Sequence, residues 1–246
     1  MRPPPVRRSA RVSAVQACLE RLGAVWDERE GAEREGAVRP VHFGDPAAEA
    51  AIAPVLALAD RGTIPRIGLK GPDAIGWARA QGIPVPDEIY GWTRAAGGGL
   101  SVRVGSGELF LEGPHADAAE EGLAGAPSGT ACWPVRREDA AFLLCGKRAL
   151  EVLAQACSYD FRGAAGTFVM TRVAMVSCSI LVEGGLADGS QAEVDGEEDA
   201  AGGPVYHLWA AASYGLYLWD ELLAIVRDCG GGPVGDAAVA TVLPAR

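Results

Sequence analysis

Two stretches of this chain repeat one another. RIGLKGPDAIGWARAQG, Arg66 to Gly82, returns in altered form as FLLCGKRALEVLAQAC, Phe142 to Cys157. Each begins as a short apolar run that reads as a strand, passes through a Gly-containing turn, and continues with apolar residues at helical spacing. Gly146 stands under Gly71 and Ala149 under Ala74, and the first helix is expected to begin near Pro72 or Asp73. The text after each helix also corresponds. A loop (IPVPDEIYG, then SYDFRGAAG) leads into alternating strands, LSVRV and ELFLE in the first copy, FVMTRVAMVSCSILVE and VYHLWA in the second. Each copy closes on a helix, HADAAEEGLAG and SYGLYLWDELLAIVRDCG, the latter with Leu216, Trp219, Leu222, Leu223 and Val226 as a wide apolar stripe. A duplication of this kind restricts the fold to the α+β class: two tandem pseudo-symmetric strand–helix–strand–strand–helix units whose antiparallel sheets are covered by helices. The units are assigned to residues 63–128 and 129–232.

Around them, residues 1–62 form an N-terminal helical segment. An amphipathic helix is expected from Ser13 to Leu22, and DEREGAEREG reads as a solvated turn. Asp45 followed by Pro46 is a helix start, and Pro54 should end or kink that helix. Residues 186–204, rich in Gly, Asp and Glu, read as a flexible acidic insertion between strands. Residues 233–246 are expected to lie against the surface as a tail.

Charge narrows the possible partners. A net charge of −10 argues against nucleic acid, which draws most of its affinity from Lys and Arg. Neither a secretion signal nor an apolar span of membrane length is read in the sequence, so the expected setting is the cytoplasm without membrane contact. Six scattered cysteines with no CxxC pair read as reduced, mostly buried thiols.

Chemistry-bearing motifs are sparse. His42, His115 and His207 lie in different elements without HxH or HExxH spacing, so no metal site is expected. GAAGTF lacks the GK[ST] of a phosphate loop, and GSGELF reads as a hairpin turn. Tyr206, Trp209, Tyr214, Tyr217 and Trp219 form the densest aromatic cluster. Helical spacing assigns Trp219 to the core, whereas Tyr206, Tyr214 and Tyr217 are candidates for a partner interface, since tyrosine buries area while keeping a polar handle.

LERLGAVWDEREG, PVHFGDPAAEAAIAPVLALAD and RIGLKGPDA follow in the order and spacing of the opening of the glycine-cleavage aminomethyltransferase superfamily, which the chain resembles from about Ser13 to Gly230. LLCGKRALEVLAQACSYDFR, TFVMTRVAMVSCSILVE and YHLWAAASYGLYLWDELLAIVRDCG look most like the gamma subunit of heterotetrameric sarcosine oxidase, a member of that superfamily. The resemblance implies a ring of small α+β domains around a central folate site and, in catalytic members, one-carbon transfer to tetrahydrofolate. Carried over residue by residue, it matches Asp160 to the Asp after the family's first helix and Arg172 to a frequently basic strand position, making both folate-binding candidates. Where catalytic members have an acidic segment like GGVLDDLIV, AMVSCSILV offers Ser177 and Cys178. Cys178, among apolar neighbours, is expected in the core, and the later folate segment RTGYTGEDGYE has no counterpart. No catalytic residue is assigned. The resemblance therefore implies a noncatalytic structural subunit of a sarcosine-oxidase-like or one-carbon-transfer complex, with other protein subunits as partners. The alternative is a folate-dependent aminomethyl- or methyltransferase using Asp160, with tetrahydrofolate as its cofactor.

Overall fold

The computed structural model describes residues 11–27, 39–94, 98–184 and 203–243. Most of the acidic insertion and of DEREGAEREG lies outside them.

Both copies are built as expected, with one more strand in each. The first copy runs β4 (Arg66–Lys70), α3 (Ala74–Ala80), β5 (Trp92–Arg94), β6 (Leu100–Gly105), β7 (Glu108–Glu112) and α4 (Pro114–Ala124). The second runs β9 (Asp139–Cys145), α5 (Ala149–Ala156), β10 (Phe168–Val173), β11 (Val176–Glu183), β12 (Val205–Ala211) and α6 (Gly215–Asp228). The pairing is antiparallel throughout these strands, and the neighbour order β5-β6-β7-β4 in one sheet is that of β10-β11-β12-β9 in the other.

Each unit then receives the strand that introduces the other. β3 (Ala57–Asp60) precedes the first unit in the chain but pairs with β9 of the second; β8 (Trp133–Arg136) precedes the second unit but pairs with β4 of the first. This reciprocal exchange explains the two matched glycines. Gly71 and Gly146 both have positive φ, +138° and +106°. A Cβ on Gly71 would stand 2.2 Å from the carbonyl oxygen of Ala131, just before β8, and one on Gly146 would stand 2.5 Å from that of Val55, just before β3. Glycine is needed in both because the backbone entering the exchanged strand crosses directly over the turn. The equivalent alanines, Ala74 and Ala149, are both fully buried.

The layers are helix, sheet, sheet, helix. α3 and α4 cover the five-stranded sheet through Ala74, Ile75, Ala78, Ala116 and Ala119. α5, α6 and α1 (Gln16–Arg21) cover the six-stranded sheet around Phe142, Leu144, Ile180 and Leu208. The two inner faces meet through Leu100, Val102 and Phe110 on one side and Phe168, Leu181 and Trp209 on the other.

The N-terminal segment adds a short pair, β1 (Val25–Trp26) with β2 (Pro40–His42), and α2 (Pro46–Ile52). Asp45 caps α2 as its sequence indicates, its carboxylate accepting from the amides of Ala47 and Ala48 at 3.0 Å. The last described residues correct the expectation of a tail. β13 (Gly232–Pro233) extends the six-stranded sheet parallel to β3, and α7 (Asp236–Val242) buries Ala238 and Val239 with Val234 against it. The segment is also held by hydrogen bonds from its main chain, the Val234 amide donating to the carbonyl of Leu58 at 3.0 Å and the Gly235 amide to the Glu49 carboxylate at 2.9 Å.

Candidate functional site

Where the two sheets meet, a largely apolar contact contains buried charge. Strand alternation sets Glu108, Phe110 and Glu112 on one face of β7, while β4 begins with Arg66 directly across from Glu112. The Arg66 side chain is wholly buried. It donates to the carbonyls of Arg61 at 3.0 Å, Gly62 at 2.7 Å and Asp139 at 2.9 Å, and approaches Glu112 at 3.4 Å. Glu112 also accepts from the indole of Trp209 at 2.7 Å, across the sheet boundary.

A second cluster lies beside the first, the His207 ring stacked on that of Trp209 at 5.9 Å. Arg94 of β5 grips Glu183 of β11 through two hydrogen bonds, at 2.9 and 2.5 Å, and His207 Nε2 lies 3.0 Å from the same carboxylate. Burial works to raise the Glu183 carboxyl, but the hydrogen bonds and charges of His207 and Arg94 outweigh it and hold the group at about 2. Nearby, the Trp92 indole donates to the carbonyl of Gly166 at 2.7 Å, another bond between the units.

A hollow of about 180 Å3 opens into the contact, walled by Phe110, Phe168, Met170 and Trp209, with Arg137 and Ser179 on its polar side. Phe110 and Trp209 meet edge to face at 5.0 Å, and the Arg137 guanidinium lies 5.2 Å over the Phe110 ring. Arg137 Nε donates to Asp139 at 3.0 Å. Glu108 borders the hollow, paired with Lys70 at 3.5 Å. Among the described residues no group of three or more His, Cys, Asp or Glu side chains is placed to hold a metal ion, and no helix is long and apolar enough to cross a membrane.

Of the residues singled out from sequence, Arg172, Ser177 and Cys178 border one open hollow of about 490 Å3 along the β10–β11 hairpin, and the others are scattered. Asp160 is exposed in the turn after α5, where both of its carboxylate oxygens accept from the Arg162 guanidinium at 2.7 to 3.0 Å, holding it down at about 2. It does not line the inter-sheet hollow. Arg172 is exposed on β10, the edge strand, beside Ser177. Cys178 points the other way, into the helix-covered core, where burial pushes its thiol up to about 11. Tyr206, expected at an interface, is instead buried against Phe161 in that core, because β12 turns it to the same face as Leu208. Tyr214 and Tyr217 are about half exposed, as is Leu216, which the helical stripe had assigned to the core. Trp219 is fully buried beside Phe142, as expected. Arg66, Glu112, Arg94 and Glu183 were missed. The signal was a charge at the end of an otherwise apolar strand, as in RIGLK and ELFLE, where nothing local says which end is buried.

No protein-family model and no curated protein sequence matches the chain. Solved structures do. The glycine cleavage system aminomethyltransferase T of Bartonella henselae superposes with a TM-score of 0.70 at 16% identity, over 93% of this chain and 60% of that one. This chain has the aminomethyltransferase fold. It spans about 60% of the length of that enzyme. A chain of the heterotetrameric sarcosine oxidase of Corynebacterium sp. U-96, solved in complex with pyrrole 2-carboxylate, matches with a TM-score of 0.54 at 19% identity, over 74% of this chain and 94% of its own.

Proposed function

We propose that this chain is a noncatalytic subunit of a sarcosine-oxidase-like or one-carbon-transfer complex, in which an aminomethyltransferase fold serves as a docking scaffold. The observation that carries the reading is that both carboxylates buried between the sheets are committed. Glu112 is held by Arg66 and Trp209, and Glu183 by Arg94 and His207. A carboxylate held at about 2 by two cationic or hydrogen-bonding partners is a poor proton acceptor at neutral pH.

A folate ligand fits the hollow badly. A pterin ring offers adjacent N–H donors that call for a free carboxylate or paired carbonyls; the inter-sheet hollow of about 180 Å3 is smaller than the roughly 300 Å3 at which pockets for such ligands begin, and the larger open hollow beside Arg172 has no carboxylate in its lining among the described residues. Asp160, the residue on which a transferase reading depends, is tied to Arg162 in the open.

Docking has a surface to use. Tyr214, Leu216 and Tyr217 open α6 with three large exposed side chains, while Trp219, Leu222 and Leu223 keep the opposite face in the core. Calorimetric titration of the purified chain with tetrahydrofolate tests the reading against its alternative: no heat of binding up to about 1 mM is expected. Saturable binding with one-carbon transfer would establish the transferase instead.

A further inference from the structure

Among the described residues, three of the four edges of the two larger sheets are blunted. β5 is three residues long, β8 carries Pro134, and β13 is two residues ending in Pro233. Short edges and prolines are the usual protection against unwanted strand pairing. β10 has neither. It runs for six residues, Phe168–Val173, without proline or register shift, and Arg172 is its one charge.

The hairpin register shows which main-chain groups are free. A two-residue turn, Ala174–Met175, joins Val173 to Val176, so Val173, Thr171 and Val169 exchange hydrogen bonds with β11. The Val182 amide donates to Thr167 at 2.9 Å, in the same alternation. The N–H and C=O groups of Phe168 and Met170, and the N–H of Arg172, therefore point away from the sheet. Beyond them the edge is closed, since the Ala174 amide donates to Ala156 at 2.7 Å.

Side chains beside this edge are also exposed. Met170 is 59% and Met175 78% exposed. The turn that presents Met175 holds two non-glycine residues at positive φ, +45° and +67°, a conformation that ordinarily selects Asn-Gly. A hollow of about 490 Å3 runs along the hairpin, lined by Ser158, Met170, Arg172, Ser177 and Ser179. Arg172 forms no ion pair among the described residues.

We propose that the free edge of β10 is a strand-addition site for an extended segment of another polypeptide, apolar where it meets Met170 and acidic where it meets Arg172. Main-chain pairing supplies affinity and alternate side chains supply specificity, as in other strand-addition complexes. A second copy of this chain fits less well, because it would bring a further net charge of −10 to the contact. The site does not use α6, and it shares Met170 and Ser179 with the rim of the inter-sheet hollow.

The test uses the whole chain and a short acetylated peptide of alternating Thr and Val with a central Glu, alongside the same peptide with Lys in place of Glu and one N-methylated on alternate amides. The acidic peptide is expected to bind below about 1 mM and to slow amide exchange at Met170 and Arg172. The N-methylated peptide should not bind, and the Lys peptide should bind about tenfold more weakly. Met170→Pro removes the outward N–H at an edge position that tolerates proline, so it should abolish binding while leaving the melting temperature near that of the parent. If this variant melts early, Arg172→Ala serves in its place, with an expected loss of about tenfold for the acidic peptide alone. Absence of binding by every peptide, or binding indifferent to both substitutions, overturns the proposal. So does concentration-dependent dimerisation that Met170→Pro removes, which would assign the edge to a second copy.

Discussion

Replacing Arg66 by methionine tests how the two units are joined. Its side chain is fully buried and donates to three carbonyls, from the β3–β4 connection and from the start of β9, while facing Glu112. Methionine keeps much of the volume but leaves those carbonyls and a buried carboxylate without their donor. Hydrogen bonds to charged groups contribute about 1.5–3 kcal/mol each, and removing one member of a buried ion pair costs about 3–5 kcal/mol. These figures overlap, because the same desolvated guanidinium makes every contact, so about 4 kcal/mol is expected rather than their sum. For a chain of this size, at about 2–4 °C per kcal/mol, the melting temperature should fall by roughly 8–16 °C. Urea unfolding followed by tryptophan fluorescence supplies the free energy, and calorimetry the melting temperature. Arg66→Lys, which keeps the charge but not the fork of donors, should recover less than half of the loss. A cost below about 1 kcal/mol for Arg66→Met would refute the reasoning, since a wholly buried cation cannot be removed so cheaply if its partners depend on it.

Three further outcomes follow from the same contacts. Glu183 is held at about 2 in the folded chain against an ordinary value near 4, so its contribution is present above about pH 4 and lost as pH falls toward 2; Glu183→Gln should flatten acid unfolding there by an amount on the order of 3 kcal/mol. Asp60 goes the opposite way: burial pushes its carboxyl up to about 6, against hydrogen bonds from the Ser13 hydroxyl and the Gly62 amide, so stability declines as pH rises from about 4 to 6. Asp60→Asn should remove most of that decline in denaturant titrations at the two pH values. Trp219→Ala should cost about 3–5 kcal/mol of folding stability, while Tyr217→Ala should stay within about 0.5 kcal/mol of the parent, both read by thermal melting.

The duplication was legible because each copy writes its elements locally: an apolar run, a glycine that the turn requires, and a helical stripe. Exchange of β3 and β8 was not. Ala57–Asp60 follows a helix in alanine-rich text and Trp133–Arg136 is only four residues with a proline, so neither carries a pattern that names its partner. Tyr206 was misplaced although its strand contained the answer, since period-two alternation with Leu208 and Ala210 sets it on the helix-covered face. For Leu216 the helical stripe pointed inward, but the buried face of α6 is centred on Gly215, Leu218, Trp219, Leu222 and Val226, which leaves Leu216 at its margin and half exposed. The buried ion pairs were illegible for a different reason: a charge at a strand end is normally solvated, and only the approach of the second sheet encloses Arg66 and Glu183.

The central claim is that this fold docks rather than catalyses, and native mass measurement of the tagged chain isolated from its own source tests it most directly. A complex containing stoichiometric additional subunits, weakened when Tyr217→Ala removes an exposed ring whose loss from an interface commonly costs ~2 kcal/mol of binding, is the expected result. A chain that runs alone as a monomer and turns over a one-carbon donor with tetrahydrofolate would contradict it.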